Sequence, residues 1–240
     1  MDGLSDTPPS TTRTLSVIKL RAPLRFQDGV ELQKLHAAEL ENSTEQLAKL
    51  ILLQHNPVFT LGRKTEPGHL LCSEHDLAVR TGAEVLHADR GGSITYHGPG
   101  QLVGYLLLNL HAWKIGIHTH LDLLEDAAIR TLGRFGVTGH REAGMTGIWV
   151  NPGGDITKPR EKICAIGVSA RRWVTYHGLS LNVDLPLDPF REVIPCGLKG
   201  KGVTTLAKVL HREVCISDVE YAMAAAFGET LGATVETGMV

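Results

Sequence analysis

The chain has 240 residues, 42% of them hydrophobic and 21% charged, and a formal net charge of −2. That is the balance of an ordinary globular protein large enough for one sizeable core. It excludes the global positive field that draws nucleic acid or an anionic membrane, and no apolar run approaches the roughly 20 residues that span a bilayer.

Residues 1–14 are rich in Ser, Thr, Pro and Asp and lack the basic start and apolar stretch of a secretion signal. They read as a flexible tail, and residues 15–240 as one domain. Asp28 with Glu31 resembles a capping-box helix start, followed by Leu32, Leu35 and Leu40 at roughly helical spacing. Leu50–Leu53 and Val58–Leu61 read as two strands joined at His55-Asn56-Pro57. Val103–Leu110 is nearly all apolar and predicts a strand buried on both faces. Leu121, Leu124, Ala128 and Leu132 mark one face of a helix, with Asp122, Glu125 and Asp126 on the other, ending near Gly133 or Gly136. Gly147–Val150, Ile163–Ser169 and Leu179–Val183 read as strands, and Asn151–Lys158 as a loop between the first two. Ser217 and Glu220 form a second capping box ahead of Val219, Met223, Phe227 and Leu231 on one helix face. Helices and strands are interspersed without regular alternation, which predicts an α+β (mixed α/β) fold and not a Rossmann fold or a (βα)₈ barrel.

The densest chemical signal is Arg90-Gly91-Gly92-Ser93-Ile94-Thr95-Tyr96-His97-Gly98-Pro99-Gly100-Gln101. Its glycines permit close approach of a ligand. Gly91 and Gly92 beside Arg90 are placed to offer amide donors to a carbonyl oxygen or phosphate. His97 sits where a side chain can face a cleft, the bland reading being a histidine buried in a tight hairpin.

Four cysteines stand at 72, 164, 196 and 215, none in a CxxC pair, so neither zinc nor a thioredoxin-like motif is indicated. A chain this long does not need disulfides, and all four read as reduced thiols of a cytosolic protein. Cys164 and Cys215 lie in apolar, strand-like settings where cysteine is a small hydrophobe, and Cys72 after Leu70-Leu71 reads as structural. Cys196 stands between Pro195 and Gly197, which fix the backbone before it and free it after, as suits an exposed, aimed thiol. A thiol of pKa near 8.5 is only about 3% thiolate at pH 7, so a nucleophile needs a nearby cation or base. Lys162, at the start of a strand where lysine is ordinarily solvated, His97 and His177 all compete for that role, and spacing does not choose among them. His118 and His120 could offer two ligands on one side of a strand, but no third ligand has a metal spacing, so no metal is expected.

Four ordered segments go further: Arg90 to Gln101, Lys162-Ile-Cys-Ala-Ile-Gly167, His177-Gly-Leu-Ser-Leu-Asn182 and Pro195-Cys196-Gly197. Together they closely resemble the lipoyl(octanoyl) transferases of lipoate biosynthesis over roughly residues 15–230, and His55 to Arg63 is similar to that family's early strand pair. The resemblance implies the fold of the biotin/lipoyl protein ligase catalytic domain, a mixed sheet flanked by helices. It implies transfer of octanoate (or a lipoyl group) from the thioester of octanoyl acyl carrier protein to a lysine of a lipoyl domain. The acceptors are the lipoyl domains of 2-oxoacid dehydrogenases and the glycine cleavage H protein. The acyl group passes through a thioester on Cys196, with Lys162 lowering the thiol pKa and handling protons. The same resemblance assigns the acyl site to Arg90, Gly91, Gly92, Ser93, Ile94, Thr95, Tyr96 and His97, to Ala165, Ile166 and Gly167, and to Gly178, Leu179 and Ser180. No cofactor is implied, because the donor is already a thioester.

One rival is an ATP-dependent lipoate–protein ligase, whose glycine-rich motif runs to His-Asp-x-Gly where this chain has His97-Gly98-Pro99-Gly100. The other is a non-catalytic module that binds lipoyl domains, against which stand both Lys162 and Cys196. Arg171, Arg172, Lys199 and Lys201 read as a cationic cluster near the motifs, suited to an acidic carrier protein.

Overall fold

The structure, a computed structural model, describes residues 13–194 and 201–239. In chain order they form β1 (Thr14–Lys19), α1 (Phe26–Leu40), β2 (Leu47–Leu53), β3 (Val58–Leu61), α2 (Glu74–Thr81), β4 (Glu84–His87), β5 (Ile94–His97) and β6 (Gln101–Leu108). There follow α3 (Leu110–Trp113), α4 (Ile117–Gly133), β7 (His140–Glu142), β8 (Met145–Val150), β9 (Glu161–Arg171), β10 (Val174–Asn182), α5 (Leu206–Leu210), α6 (Ile216–Leu231) and β11 (Thr234–Met239).

Among the described residues the strands make two sheets, one in the order β11-β1-β2-β6-β10-β9-β8-β7 and a smaller one in the order β4-β3-β5. The large sheet is mixed: β1 lies parallel to β2 and β11, and the remaining pairs are antiparallel. This is the mixed sheet with flanking helices that the sequence predicts, and every residue of β6 is buried. The two-residue period divides the large sheet's side chains. Ala48, Leu50, Leu52, Leu102, Leu106 and Leu108 face a core closed by α4 and α6. Ile51, Leu53, Val103, Tyr105 and Leu107 face a second core under α1.

The sequence expectations differ from the structure at several points. β2 and β3 are joined at His55-Asn56-Pro57 as expected, but the chain leaves the large sheet there and β3 pairs with β4 and β5. α1 begins at Phe26, two residues ahead of the expected start, with Arg25 at its N-cap and no side-chain cap bond. Its buried stripe is Phe26, Gly29, Gln33, Ala37 and Leu40, while Leu35 is 64% exposed. α6 likewise is capped by Cys215, not by a Ser217 hydroxyl on the backbone, although its face of Val219, Met223, Phe227 and Leu231 is fully buried as the spacing requires. Loop 151–158 contains one 3-10 turn at Pro152–Gly154.

Phe227 is fully buried in the core between sheet and helices, whereas Tyr221 on the same helix is 74% exposed. Phe227→Ala should therefore destabilise the protein by about 3–5 kcal/mol. Tyr221→Ala should stay within about 0.5 kcal/mol. Urea unfolding midpoints at constant m-value measure both.

Candidate functional site

A pocket opens between the two sheets. Arg90, Gly92, Ser93, Ile94, Thr95 and His97 line it from the small-sheet side, and Ala165, Ile166 and Gly167 of β9 with His177, Gly178, Leu179 and Ser180 of β10 from the other. Phe26 of α1 and Val103 and Tyr105 of β6 complete the wall. The pocket is narrow, and most of its wall is apolar. A wider groove of about 1300 Å³ meets it at Gly92, Ser93, Ile166 and Gly167, and Lys162, Thr146 and Gly91 lie along that groove.

Most of the residues singled out in the sequence thus share one cavity system. Tyr96 does not: its ring packs 5.1 Å from Phe59 and 5.7 Å from Phe190, in the core beneath the small sheet. Gly91 lines the groove, and its N–H is not offered to a ligand, because it donates to the Val168 carbonyl at 2.9 Å. The approach needs a bare neighbour: a Cβ on Gly167 would come within 2.8 Å of the Gly91 carbonyl oxygen. Arg90 is 7% exposed and braces the small sheet, donating to the Thr60 carbonyl at 2.6 Å, the Thr60 hydroxyl at 2.7 Å and the Gly91 carbonyl at 3.0 Å. A buried guanidinium needs such acceptors.

Lys162 is buried, with 6% exposure, where position in the strand suggested a solvated side chain. The reason lies in the backbone. Its N–H donates to the Gly202 carbonyl at 2.9 Å and its carbonyl accepts from Thr204 N–H at 3.0 Å, so the start of β9 is covered by the returning chain. The Nζ donates to the Thr146 carbonyl at 3.0 Å and stands 4.7 Å from the centre of the Trp149 ring. The Glu125 carboxylate lies behind this point. It accepts from Gly147 N–H at 3.0 Å and from Arg141 at 2.7 Å. Helical periodicity had put Glu125 on the solvent face of α4; the Gly147 amide and the Arg141 guanidinium hold it inside, with 9% exposure.

Cys196 lies outside the described residues, with Pro195, Gly197 and Lys199. Cys164 is a buried thiol whose pKa burial pushes up to about 12, in line with the inert role read from its apolar setting. Cys72 is half-buried and packs against the core of the small sheet. Cys215 departs from expectation: it is exposed at the start of α6, and a hydrogen bond from Ser217 holds its thiol pKa below the ordinary value.

The histidines form a buried group at the far end of the pocket. Burial lowers His55 and His177 to about 4 and holds His97 well below the ordinary imidazole range. His97 is both buried and pocket-lining, with Nδ1 2.7 Å from Gln101 Oε1 and Nε2 3.3 Å from the Thr60 hydroxyl. His55 Nε2 stands 2.6 Å from the Tyr105 hydroxyl. His118 and His120 lie on a helix, not a strand, with His118 exposed and His120 buried. Among the described residues no three His, Cys, Asp or Glu side chains gather as metal ligands, and no helix is long and apolar enough to cross a membrane.

The expected cationic cluster is divided. Arg171 donates to Asp89 at 2.5 Å and Arg172 to Glu41 at 3.1 Å. Both sit at the far end of β9 from Lys162, about 30 Å away at the rise of an extended strand. Lys201 instead stands 5.8 Å from the Trp149 ring, next to Lys162.

Residues 28–228 match the family model of the lipoyl protein ligase A/B catalytic domain. The octanoyltransferase of Flavobacterium johnsoniae is 45% identical over 75% of this chain and 76% of its own length. That of Chloroflexus aurantiacus is 40% identical over 90% of this chain and 94% of its own length. The Porphyromonas gingivalis octanoyltransferase is 41% identical over 87% of this chain, which spans 40% of that longer protein. The fold matches lipoate-protein ligase A bound with ATP (TM-score 0.73, 15% identity, 95% of this chain and 89% of that one). It also matches Thermoplasma acidophilum protein Ta0514 with bound lipoic acid (TM-score 0.74, 15% identity, 95% and 90%). The chain therefore belongs to the lipoyl protein ligase A/B catalytic-domain family and, within it, to the octanoyltransferases.

The buried imidazoles make stability depend on pH. In the unfolded chain they bind protons below about pH 6.5. His55, His120 and His177 in the folded protein resist protonation down to about 4. Between those values the unfolded state binds more protons, so stability rises with pH and is lost as pH falls from about 6.5 towards 4. Neither ring nitrogen of His120 has a hydrogen-bond partner among the described residues. His120→Leu should remove one proton from that linkage, flattening the slope by up to about 1.4 kcal/mol per pH unit. Unfolding free energies between pH 7 and pH 5 measure it.

Proposed function

We propose that this chain carries out its family's octanoyl transfer through an acyl thioester on Cys196, with Lys162 activating that thiol and handling protons. The donor in this reading is octanoyl acyl carrier protein. The acceptors are lysines of lipoyl domains, in 2-oxoacid dehydrogenases and the glycine cleavage H protein. The observation that supports the proposal is the position of Lys162: its amine lies along the wider groove onto which the mainly apolar pocket opens at Gly92, Ser93, Ile166 and Gly167. The carbonyl of a chain lodged in the pocket would emerge into that groove.

The chemistry balances in two steps. The Cys196 thiolate attacks the donor's thioester carbonyl, a new carbon–sulfur bond forms, and the carrier's thiolate leaves and takes a proton. The acceptor's lysine amine then attacks the Cys196 thioester, an amide forms, and the Cys196 thiolate departs while the amine's proton passes to a base. Thioester to thioester to amide runs downhill, so no nucleotide is consumed, and the covalent intermediate lets two large partners visit in turn. A lysine suits both demands, stabilising a thiolate by charge and exchanging a proton with the incoming amine. His97 and His177 fit the base role less well. Both are buried with depressed pKa values at the other end of the pocket, and both nitrogens of His97 have neighbours to satisfy them.

Incubation with octanoyl acyl carrier protein alone should add one octanoyl group, mapped to Cys196 and not to Cys72, Cys164 or Cys215, in EDTA and without ATP. Cys196→Ala should abolish adduct and transfer. Lys162→Ala should raise the Cys196 thiol pKa by about 1–3 units, seen as slow alkylation at pH 7 that recovers at high pH, with transfer falling further than alkylation. An adduct on another cysteine overturns the nucleophile, a strict need for ATP and magnesium moves the chain to ligase chemistry, and an unchanged titration in Lys162→Ala removes Lys162 from the dyad.

A further inference from the structure

The pocket has a far wall made by one ring. Phe26 stacks on His177 (centroids 6.2 Å apart, planes 6° apart) and on His97 (6.2 Å, 12°). On the other side of that wall is a second groove, walled by Val30, Leu86, Tyr176 and the side chains of Gln27 and Lys34. Phe26 and His177 line both spaces. They are a partition between two voids, where a wall is usually the body of the protein.

The partition stands at a defined distance from the groove that holds Lys162. Gly167 of β9 is paired with Gly178 of β10, and Gly178 with Tyr105 of β6, so the three lie in one row across the sheet. Two strand spacings separate the ends of that row, about 10 Å, and its first two members have no side chain to obstruct a chain laid over them. Gly167 borders the Lys162 groove, and the Tyr105 ring lies 6.0 Å from His177 at the partition. An extended eight-carbon chain is of about that length.

His177 is held in place at a cost. It has φ +62° within a strand, a left-handed conformation that is strained for a residue with a Cβ. Its N–H donates at 2.6 Å to Oε1 of Gln33, a fully buried side chain about two turns along the same face of α1 as Phe26. The helix that supplies the ring thus also fixes the imidazole it rests on.

We propose that Phe26, backed by His177, is the residue that sets acyl chain length, stopping the methyl end of an eight-carbon chain and closing the pocket from the second groove. The proposal rests on the reading of the pocket as the acyl site. Shortening Phe26 joins the two voids and gives the added methylenes of a longer chain room beside Val30, Leu86 and Tyr176, in a groove whose rim carries Glu31, Lys34, Asp89 and Arg171.

The test is kcat/KM for hexanoyl, octanoyl, decanoyl and dodecanoyl acyl carrier protein in the wild type, Phe26→Ala, Phe26→Leu and Phe26→Trp, each variant first checked for a cooperative thermal transition. The wild type should peak at octanoyl. Phe26→Ala should raise the dodecanoyl-to-octanoyl ratio by about tenfold or more, each newly buried methylene being worth about fourfold. Phe26→Leu should raise the ratio less, and Phe26→Trp should move the peak to hexanoyl. If Phe26→Ala does not fold, Phe26→Leu and Phe26→Trp decide the matter by shifting in opposite directions. Folded variants that keep the wild-type profile while transferring octanoate overturn the proposal. A wild type that accepts no acyl group from any of these donors overturns instead the functional reading beneath it.

Discussion

A backbone hydrogen bond ties the glycine-rich segment to the large sheet beside the pocket: Gly91 N–H to the carbonyl of Val168, 2.9 Å long. It ties the segment entering β5 to the middle of β9, and the close approach depends on Gly167 having no side chain. The small sheet is thereby held over the large one with a gap between them, and that gap is the pocket. Arg90 secures the other side of the joint by filling the acceptors of Thr60 in β3. A substituent at Gly167 or a slip of the Arg90 side chain would change the height of the gap before it disturbed either core. The glycine-rich segment is thus first a structural joint, and its contribution to a ligand site follows from that.

The strand that receives this bond also carries Lys162. β9 is long enough to have Lys162 at one end and the pocket along its middle, and its pairing with β10 fixes both against the same frame. The burial of the amine is a tertiary effect. It arises from the chain returning at Gly202 and Thr204, some forty positions later, and from the Trp149 ring of the neighbouring strand. Charge or polarity inside a protein needs partners, and here the Thr146 carbonyl and the indole face supply them.

Where local pattern decides structure, the sequence is a sufficient guide. The uninterrupted apolar run of β6, the buried face of α6 and the inert setting of Cys164 are each legible because burial on both faces, helical periodicity and an apolar neighbourhood are properties of a few adjacent residues. The motifs of the site were visible as a resemblance, and most of their residues converge on one cavity system. What was not legible depends on distant partners. Glu125 matches a solvent face by spacing and is buried because Gly147 and Arg141 reach it from β7 and β8. Phe26 precedes the apparent helix start, and nothing nearby marks it as a pocket wall. Tyr96 sits inside the most conspicuous motif yet turns into the other core, since Phe59 and Phe190 offer it a better-packed environment there. Of the cations read as one cluster, Arg171 and Arg172 lie at the far end of β9 from Lys162, whereas Lys201 stands over the Trp149 ring.

The imidazoles at the end of the pocket have one more consequence. His55, His97 and His177 keep their neutral form through the physiological range because burial disfavours their charged form, with the nearby Arg90 guanidinium adding to this at His97 and His177. A chain lodged against them would rest on uncharged rings, with its activated carbonyl towards the groove. In the two-step transfer proposed above, the enzyme would hold a reactive ester while one bulky partner departs and another arrives, and would be exposed to hydrolysis throughout that wait. Confining water to the mouth would lengthen the lifetime of that loaded state, and so set how scarce the second partner can be before acyl groups are lost.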